Sequence, residues 1–261
     1  MSHWFADLSW PEIRRLVEQQ PILLLPFAET EEHGPHLPVG CDTIIAERVA
    51  LAVAQRVNPG IPTYVLPAIA YGYTPRAVQK WPGTFRVRWH VMVEYLADVC
   101  ASVVEMGFKR LVVVSSHGPH GDVARLAARE VFDRTGVGVI ITQPHAMLGA
   151  RFKAIRKSRL GGACHACEYE TSLMMHFGYA IDVSQLDDRD VVKTCNEWVA
   201  GDMVNGSGKV SWSTWALQES ETGVYGDPSC ATAETGAACM ETIVEEYARF
   251  LKYLWDTPVS P

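Results

Sequence analysis

No apolar run in this chain approaches the twenty or so residues that a bilayer-spanning helix needs, and no transmembrane helix is expected. A basic surplus is missing too. The 23 Lys and Arg stand against 30 Asp and Glu, a formal net charge of −7, and no field exists to draw nucleic acid or an anionic membrane. The first residues, Met1-Ser-His-Trp-Phe-Ala-Asp7, lack a basic segment followed by an apolar one, and a cytoplasmic protein is expected. A second CxxC is absent. The seven cysteines include one close pair, Cys164-His-Ala-Cys167, whereas a zinc ribbon needs two such pairs. Their odd number points to reduced thiols rather than a disulfide framework, with thiol redox chemistry at Cys164 and Cys167 as a side reading. Repeats, low-complexity tracts and linkers are also wanting. The 261 residues, 48% of them hydrophobic, are therefore expected to form one domain with a substantial core.

What is present is an alternation of apolar, β-branched runs with amphipathic segments. Strands are expected over 22–27, 63–68, 110–115 and 138–142. Helices are expected over 43–57, 89–106, 122–134, 168–177 and 233–255. This order predicts an α/β fold, a single-domain sandwich with a mostly parallel central sheet flanked by helices. Two stretches break the alternation. Residues 70–88, rich in Gly, Pro and aromatics, read as a long functional loop, with Trp81 the best candidate for a pocket wall. Residues 198–228 read as a hairpin-bearing excursion whose Trp198, Trp212 and Trp215 suit a site mouth or a subunit contact.

The chemistry concentrates where strands end. The stretch Glu29-Thr-Glu-Glu-His-Gly-Pro-His-Leu-Pro-Val-Gly-Cys-Asp42 follows the first strand directly. In open α/β sheets, functional groups gather beyond the carboxyl ends of strands. An extended backbone there would turn Glu31 and His33 to one side, and Asp42 would return at the N-cap of the next helix. Carboxylate, imidazole and carboxylate suit zinc, manganese or iron. A solvated acidic loop with a capping Asp42 is the plain alternative. The third strand runs likewise into Ser115-Ser-His-Gly-Pro-His-Gly-Asp122, presenting His117 and His120. A third segment, Cys164-His-Ala-Cys-Glu-Tyr-Glu-Thr-Ser172, opens a helix. His165 and Glu168, three apart, share a helical face while Glu170 falls on another. They read either as a metal ligand with a proton donor, or as an acid-rich helix start favoured by the dipole.

Together these segments resemble the creatininase (creatinine amidohydrolase) family. The likeness also takes in Trp81-Pro-Gly-Thr84 and Gly223-Val-Tyr-Gly-Asp-Pro228 followed by Ala233-Glu-Thr-Gly236, and runs from about residue 20 to the C-terminus. It implies an α/β hydrolase with two adjacent divalent ions (Zn, Mn or Fe), assembled as a homo-oligomer, often a hexamer. Carried over, it puts Glu31 and His117 on one ion and His33 on the other, with Asp42 bridging. Two departures from creatininase itself are informative. Gly118-Pro119 replace its Tyr-Glu pair, so the second ion needs another oxygen, for which Glu168 is the candidate, as ligand or as acid–base group. Gly161-Gly162 replace its Trp-Asp pair, removing the contacts that hold creatinine. The implied reaction is attack of a metal-bound hydroxide on a carbonyl, with His165 protonating the leaving atom. The expected substrate is a small polar cyclic amide or formamide other than creatinine, with Trp81, His120 and Arg159 as the substrate-binding residues. The polar and basic groups Arg76, Lys80, Arg159 and His120 near the presumed site also make a hydroxylated, sugar-like substrate a candidate. The alternatives are hydrolytic ring cleavage of a cyclic diketone derived from inositol and, in another class, a non-catalytic metal-binding regulatory protein.

Overall fold

Ile22-Leu-Leu-Leu-Pro-Phe27 is buried along its whole length, the pattern of a strand covered on both faces, and it forms the inner strand β1 (Ile22–Phe27). A computed structural model of the chain describes residues 3–194, 198, 199, 202, 210 and 218–258. Ahead of β1 lies α1 (Trp10–Gln19), and after it α2 (Cys41–Val57), β2 (Thr63–Val65), α3 (Trp89–Glu105), β3 (Arg110–Ser115), α4 (His120–Thr135) and β4 (Ile140–Thr142). The short helices α5 (Pro144–Leu148) and α6 (Phe152–Ile155) lead to β5 (Ala163–His165), α7 (Glu168–His176), β6 (Tyr225–Gly226) and the long α8 (Ala233–Asp256). β2, β1, β3 and β4 lie side by side in that order, all parallel. β5 and β6 form a separate antiparallel pair. The expected mostly parallel sheet flanked by helices is thus the observed one. Among the described residues, no helix is long and apolar enough to cross a membrane.

The period of two along each strand divides the core. Ile22, Leu24, Val112 and Val114 face a cluster drawn from α2, α7 and α8. Leu23, Leu25, Phe27, Leu111 and Val113 face another drawn from α1, α3 and α4. Pro26 is tolerated in an inner strand for a geometric reason. Its carbonyl accepts from Ile69 N–H on the β2 side, and its missing N–H falls on that same side, beyond the end of β2. On the third-strand side the ladder continues to Phe27 opposite Ser115, so the loops leaving β1 and β3 start as neighbours.

Several expectations are corrected. Asp42 is not an N-cap; Gly40 holds that place and Asp42 lies buried in the first turn of α2. Helix α1 was outside the expected elements, although Ser9, Pro11 and Glu12 carry a helix-start signature, with the Glu12 carboxylate accepting from Ser9 N–H at 2.7 Å. The second strand stops at Val65 instead of 68. The 70–88 loop contains one short 3₁₀ turn, Arg76–Val78. Of the 198–228 excursion, Tyr225 and Gly226 form β6, Trp198 is exposed, and Trp212 and Trp215 lie outside the described residues.

Helix α7 is fixed by its packing on α8. A Cβ added at Gly236 would stand 1.9 Å from the carbonyl oxygen of Ser172, so the two helices touch backbone to backbone with no space to spare. Were α7 free to retreat, Gly236→Ala would stabilise the protein by about 1 kcal/mol through helix propensity alone. The packing predicts the opposite sign. Gly236→Ala should cost about 1–3 kcal/mol of overpacking, read as a lower urea midpoint, and a midpoint at or above wild type would contradict it.

Candidate metal centre

Six buried side chains from five places in the chain meet beyond the carboxyl ends of β1 and β3. Glu31 and His33 come from the loop after β1, Asp42 from the first turn of α2, and His117 from the turn between β3 and α4. His165 ends β5 and Glu170 lies in the first turn of α7. The adjacent strand ends bring the first and second of these loops together, and Ser116 Oγ donates to the Asp42 carbonyl at 2.7 Å, fastening the turn to α2.

Among the described residues, three sets have ligand-type atoms within 4.8 Å of one another: Glu31, Asp42 and His117; His33, Asp42 and Glu170; and Glu31, His33 and His165. Asp42 belongs to the first two, and its oxygens are divided between them. Oδ2 lies 3.1 Å from His117 Nδ1, and Oδ1 lies 3.4 Å from His33 Nε2. Glu31 Oε1 lies 3.0 Å from His117 Nδ1 and 3.5 Å from His165 Nδ1. Glu31 Oε2, Asp42 Oδ2 and His33 Nε2 are buried without a hydrogen-bond partner, the His117 nitrogen lying 3.1 Å from Asp42 Oδ2 as an ion-pair contact. Buried polar atoms left in that condition cost free energy unless something else satisfies them. Lone-pair atoms converging on shared points, all oxygen or imidazole nitrogen, fit two divalent cations of the zinc, manganese or iron type.

The electrostatics of the protein alone point the same way. Burial pushes the Asp42 carboxyl up, but the His33 and His117 imidazoles outweigh it and hold the group below its ordinary range. Burial pulls His33 down, and the Asp42 carboxylate overrides it, lifting the imidazole to about 10. His117 is raised against its own burial by Glu31 and Asp42. Glu170 is pushed up by burial and only partly drawn back by His33 and His165. For His165, burial and His33 act downward, and the carboxylates of Glu31 and Glu32 prevail, leaving it raised.

Not every expected residue joins the centre. Glu31, His33, Asp42, His117 and His165 do. Glu168 does not: its carboxylate accepts from Lys157 N–H at 2.8 Å and Ser158 N–H at 2.9 Å, closing the turn that precedes β5. Two residues apart on a helix, Glu168 and Glu170 point roughly 200° from each other, so one can face the centre only if the other turns away. His120 is fully buried against Phe27 and donates nothing to an open surface, so the expected substrate contact is corrected. The Arg159 side chain is 67% exposed and pairs with Asp188 at 3.3 Å, away from the centre. Trp81 is half-buried, with Lys80 Nζ 4.4 Å from its ring centroid, and Arg76 is exposed.

Three further residues stand close by. Glu32 is buried; its Oε2 accepts from Gly34 N–H at 2.8 Å and its Oε1 lies 3.5 Å from His165 Nε2. His36 pairs through Nε2 with Thr171 Oγ1 at 2.9 Å, and burial, then His33 and His165, push its imidazole down to about 4. Glu29 is pushed up by burial to about 8. All three lay in the acid- and histidine-rich stretch, but nothing in the spacing told them apart from the ligand candidates. Both bordering loops touch Glu32: Thr84 Oγ1 accepts its N–H at 3.0 Å, and a Cβ at Gly223 would meet its Oε2 at 2.1 Å. Those loops are tied to each other, Lys80 Nζ donating to the Ser220 carbonyl at 3.0 Å.

A family model described as creatininase, creatinine amidohydrolase, matches residues 6–251. The chain is 31% identical over 115 residues to 3-dehydro-scyllo-inosose hydrolase of Thermotoga maritima, covering 44% of this chain and 36% of that one, so the match spans about a third of that relative. It is 29% identical over 260 residues to the mycofactocin precursor peptide peptidase of Mycobacterium tuberculosis, covering 94% of this chain and 90% of the peptidase. A solved creatininase superposes with a TM-score of 0.83 at 19% identity, covering 98% of this chain and 99% of the other. A Zn–Zn type of a creatininase mutant and a manganese form of creatininase each superpose with a TM-score of 0.82 at 19% identity, over 98% of this chain and 100% of theirs.

The two glutamates of α7 give opposite expectations. Glu170→Gln should remove one of two zinc or manganese equivalents after desalting, measured by elemental analysis. Glu168→Gln should keep both while lowering stability by about 1–3 kcal/mol, the scale of a lost charge-assisted hydrogen bond. The reverse pattern would return the ligand role to Glu168.

Proposed function

This chain belongs to the creatininase family of metal-dependent hydrolases, and from that premise we propose that it cleaves the carbon–nitrogen bond of a small polar amide, a cyclic amide or a formamide, in a dinuclear centre. One observation carries the reading: the two oxygens of Asp42 face two different imidazoles, each within its own set of ligand-type atoms. Glu31, Asp42 and His117 would hold one divalent cation, and His33, Asp42 and Glu170 the other. Such a pair supplies a water of lowered pKa and polarises the carbonyl it attacks.

The remaining work falls to the chain. His165 Nε2 lies 2.9 Å from the Glu32 carbonyl, an oxygen that can only accept, so the proton on that nitrogen is fixed and Nδ1 faces the centre beside Glu31. Nδ1 is the atom placed to carry a proton to a departing nitrogen. An amine leaving group needs that proton, whereas an enolate released from a diketone does not, which favours an amide over the ring-cleavage alternative. The burial of all six side chains excludes bulk water and strengthens every charge interaction among them.

Creatinine is disfavoured by packing. A Cβ at Gly162 would stand 2.6 Å from the Ser158 Cβ, so no larger side chain fits where creatininase has a creatinine contact. The mycofactocin precursor peptide peptidase, aligned over almost the whole chain, supports a second amide reading, a peptide bond.

The test is a hydrolysis screen of the zinc- or manganese-loaded protein over lactams, formamides, short peptides and oxidised inositols. Turnover is expected among the amides. In His165→Ala it should fall by about 10²–10⁴ in kcat, the usual contribution of a general acid, with metal content retained. Turnover confined to the oxidised inositols would replace the amide reading with ring cleavage.

A further inference from the structure

His117 and His120 hold one residue of the neighbouring loop between them. The backbone N–H of Tyr73 donates to His120 Nε2 at 2.9 Å, and the carbonyl of Tyr73 lies 3.1 Å from His117 Nε2. An imidazole that accepts at Nε2 carries its proton on Nδ1. The opposite holds for His117, because a carbonyl only accepts: its Nε2 carries a proton, and Nδ1 is the atom presented to Glu31 Oε1 at 3.0 Å and Asp42 Oδ2 at 3.1 Å. Both tautomers are therefore set by the two polar groups of one residue.

His120 has no freedom to leave this arrangement. Its ring stacks on Phe27 with centroids 4.1 Å apart and planes 14° apart, and it meets the His117 ring edge-on at 4.6 Å. Space for Nε2 exists because residue 72 is glycine; a Cβ there would stand 2.2 Å from it. Nothing in the proposed chemistry uses this buried histidine directly.

We propose that His120 is a positioning residue for the metal ligand His117: by gripping the Tyr73 backbone it fixes the carbonyl that locks the His117 tautomer and ring plane. The inference rests on the reading that Glu31, Asp42 and His117 hold a divalent cation. Outer partners of ligating histidines commonly act this way, and losing one weakens metal affinity by about 10–100-fold.

Two variants separate positioning from bulk packing. His120→Phe keeps the stack on Phe27 and loses the acceptor. His120→Gln places Oε1 near the position of Nε2 and restores it. Zinc affinity by chelator competition and nitrogen NMR of the histidine rings in the zinc-loaded protein are the readouts. One of the two zinc equivalents should weaken by about 10–100-fold in His120→Phe and recover in His120→Gln. In wild type, His117 should be protonated at Nε2 and His120 at Nδ1. A His120→Phe variant that binds both zincs as wild type does overturns the proposal, as does a wild-type spectrum with His117 protonated at Nδ1. Should His120→Phe fail to fold, that wild-type spectrum decides alone. A wild type that takes up no zinc sinks the dinuclear reading and this inference with it; two bound zincs with an indifferent His120→Phe sinks this inference only.

Discussion

One buried carboxylate, shared between two imidazoles, organises the rest of the molecule. Asp42 stands in the first turn of α2, where the helix dipole favours negative charge. Several ionisable groups in a dry place each cost several kcal/mol unless they are mutually compensated. The compensation here is reciprocal: Asp42 raises the imidazoles and they lower it. Removing any partner leaves the others uncompensated, so the loops that deliver them are constrained together.

The sheet delivers them. Parallel pairing of β1 with β3, in a register that ends at Phe27 and Ser115, brings two short loops out at one edge of the core. The α7–α8 contact at Gly236 sets where Glu170 arrives, from a part of the chain remote from both. Backbone carbonyls then orient the rings, that of Glu32 for His165 and that of Tyr73 for His117. Rigid elements bring the side chains near, and main-chain atoms settle which nitrogen faces inward.

Much of this was legible in the residues. Continuous apolar runs gave the inner strands because burial on both faces leaves no alternation to misread, and the motif around Glu31, His33 and Asp42 named the centre. The boundaries were less readable: Asp42 looked like a cap since short acids often are, while the actual cap is Gly40. Choosing between Glu168 and Glu170 required the rotation of α7, which tertiary packing sets and local spacing does not. His120 was expected as a substrate contact because it stands in the same turn as His117, and only the packing shows it stacked on Phe27 while His117 faces Glu31 and Asp42. Arg159 was placed near the centre by charge logic, but a long cation gains more from water and Asp188.

Pro26 has an effect beyond its own strand. It offers no donor on its second-strand side, and regular pairing on that side ends before the centre is reached: β2 pairs with β1 from Ile22 to Leu24, whereas β3 pairs with it as far as Phe27. The chain after Val65 leaves the regular ladder there, held by Leu66 N–H on the Leu24 carbonyl and by Ile69, which donates to the Pro26 carbonyl and accepts from Ala28 N–H, before it crosses to Tyr73. The pyrrolidine thus stands where the second-strand side of the sheet gives way to the loop that carries Tyr73.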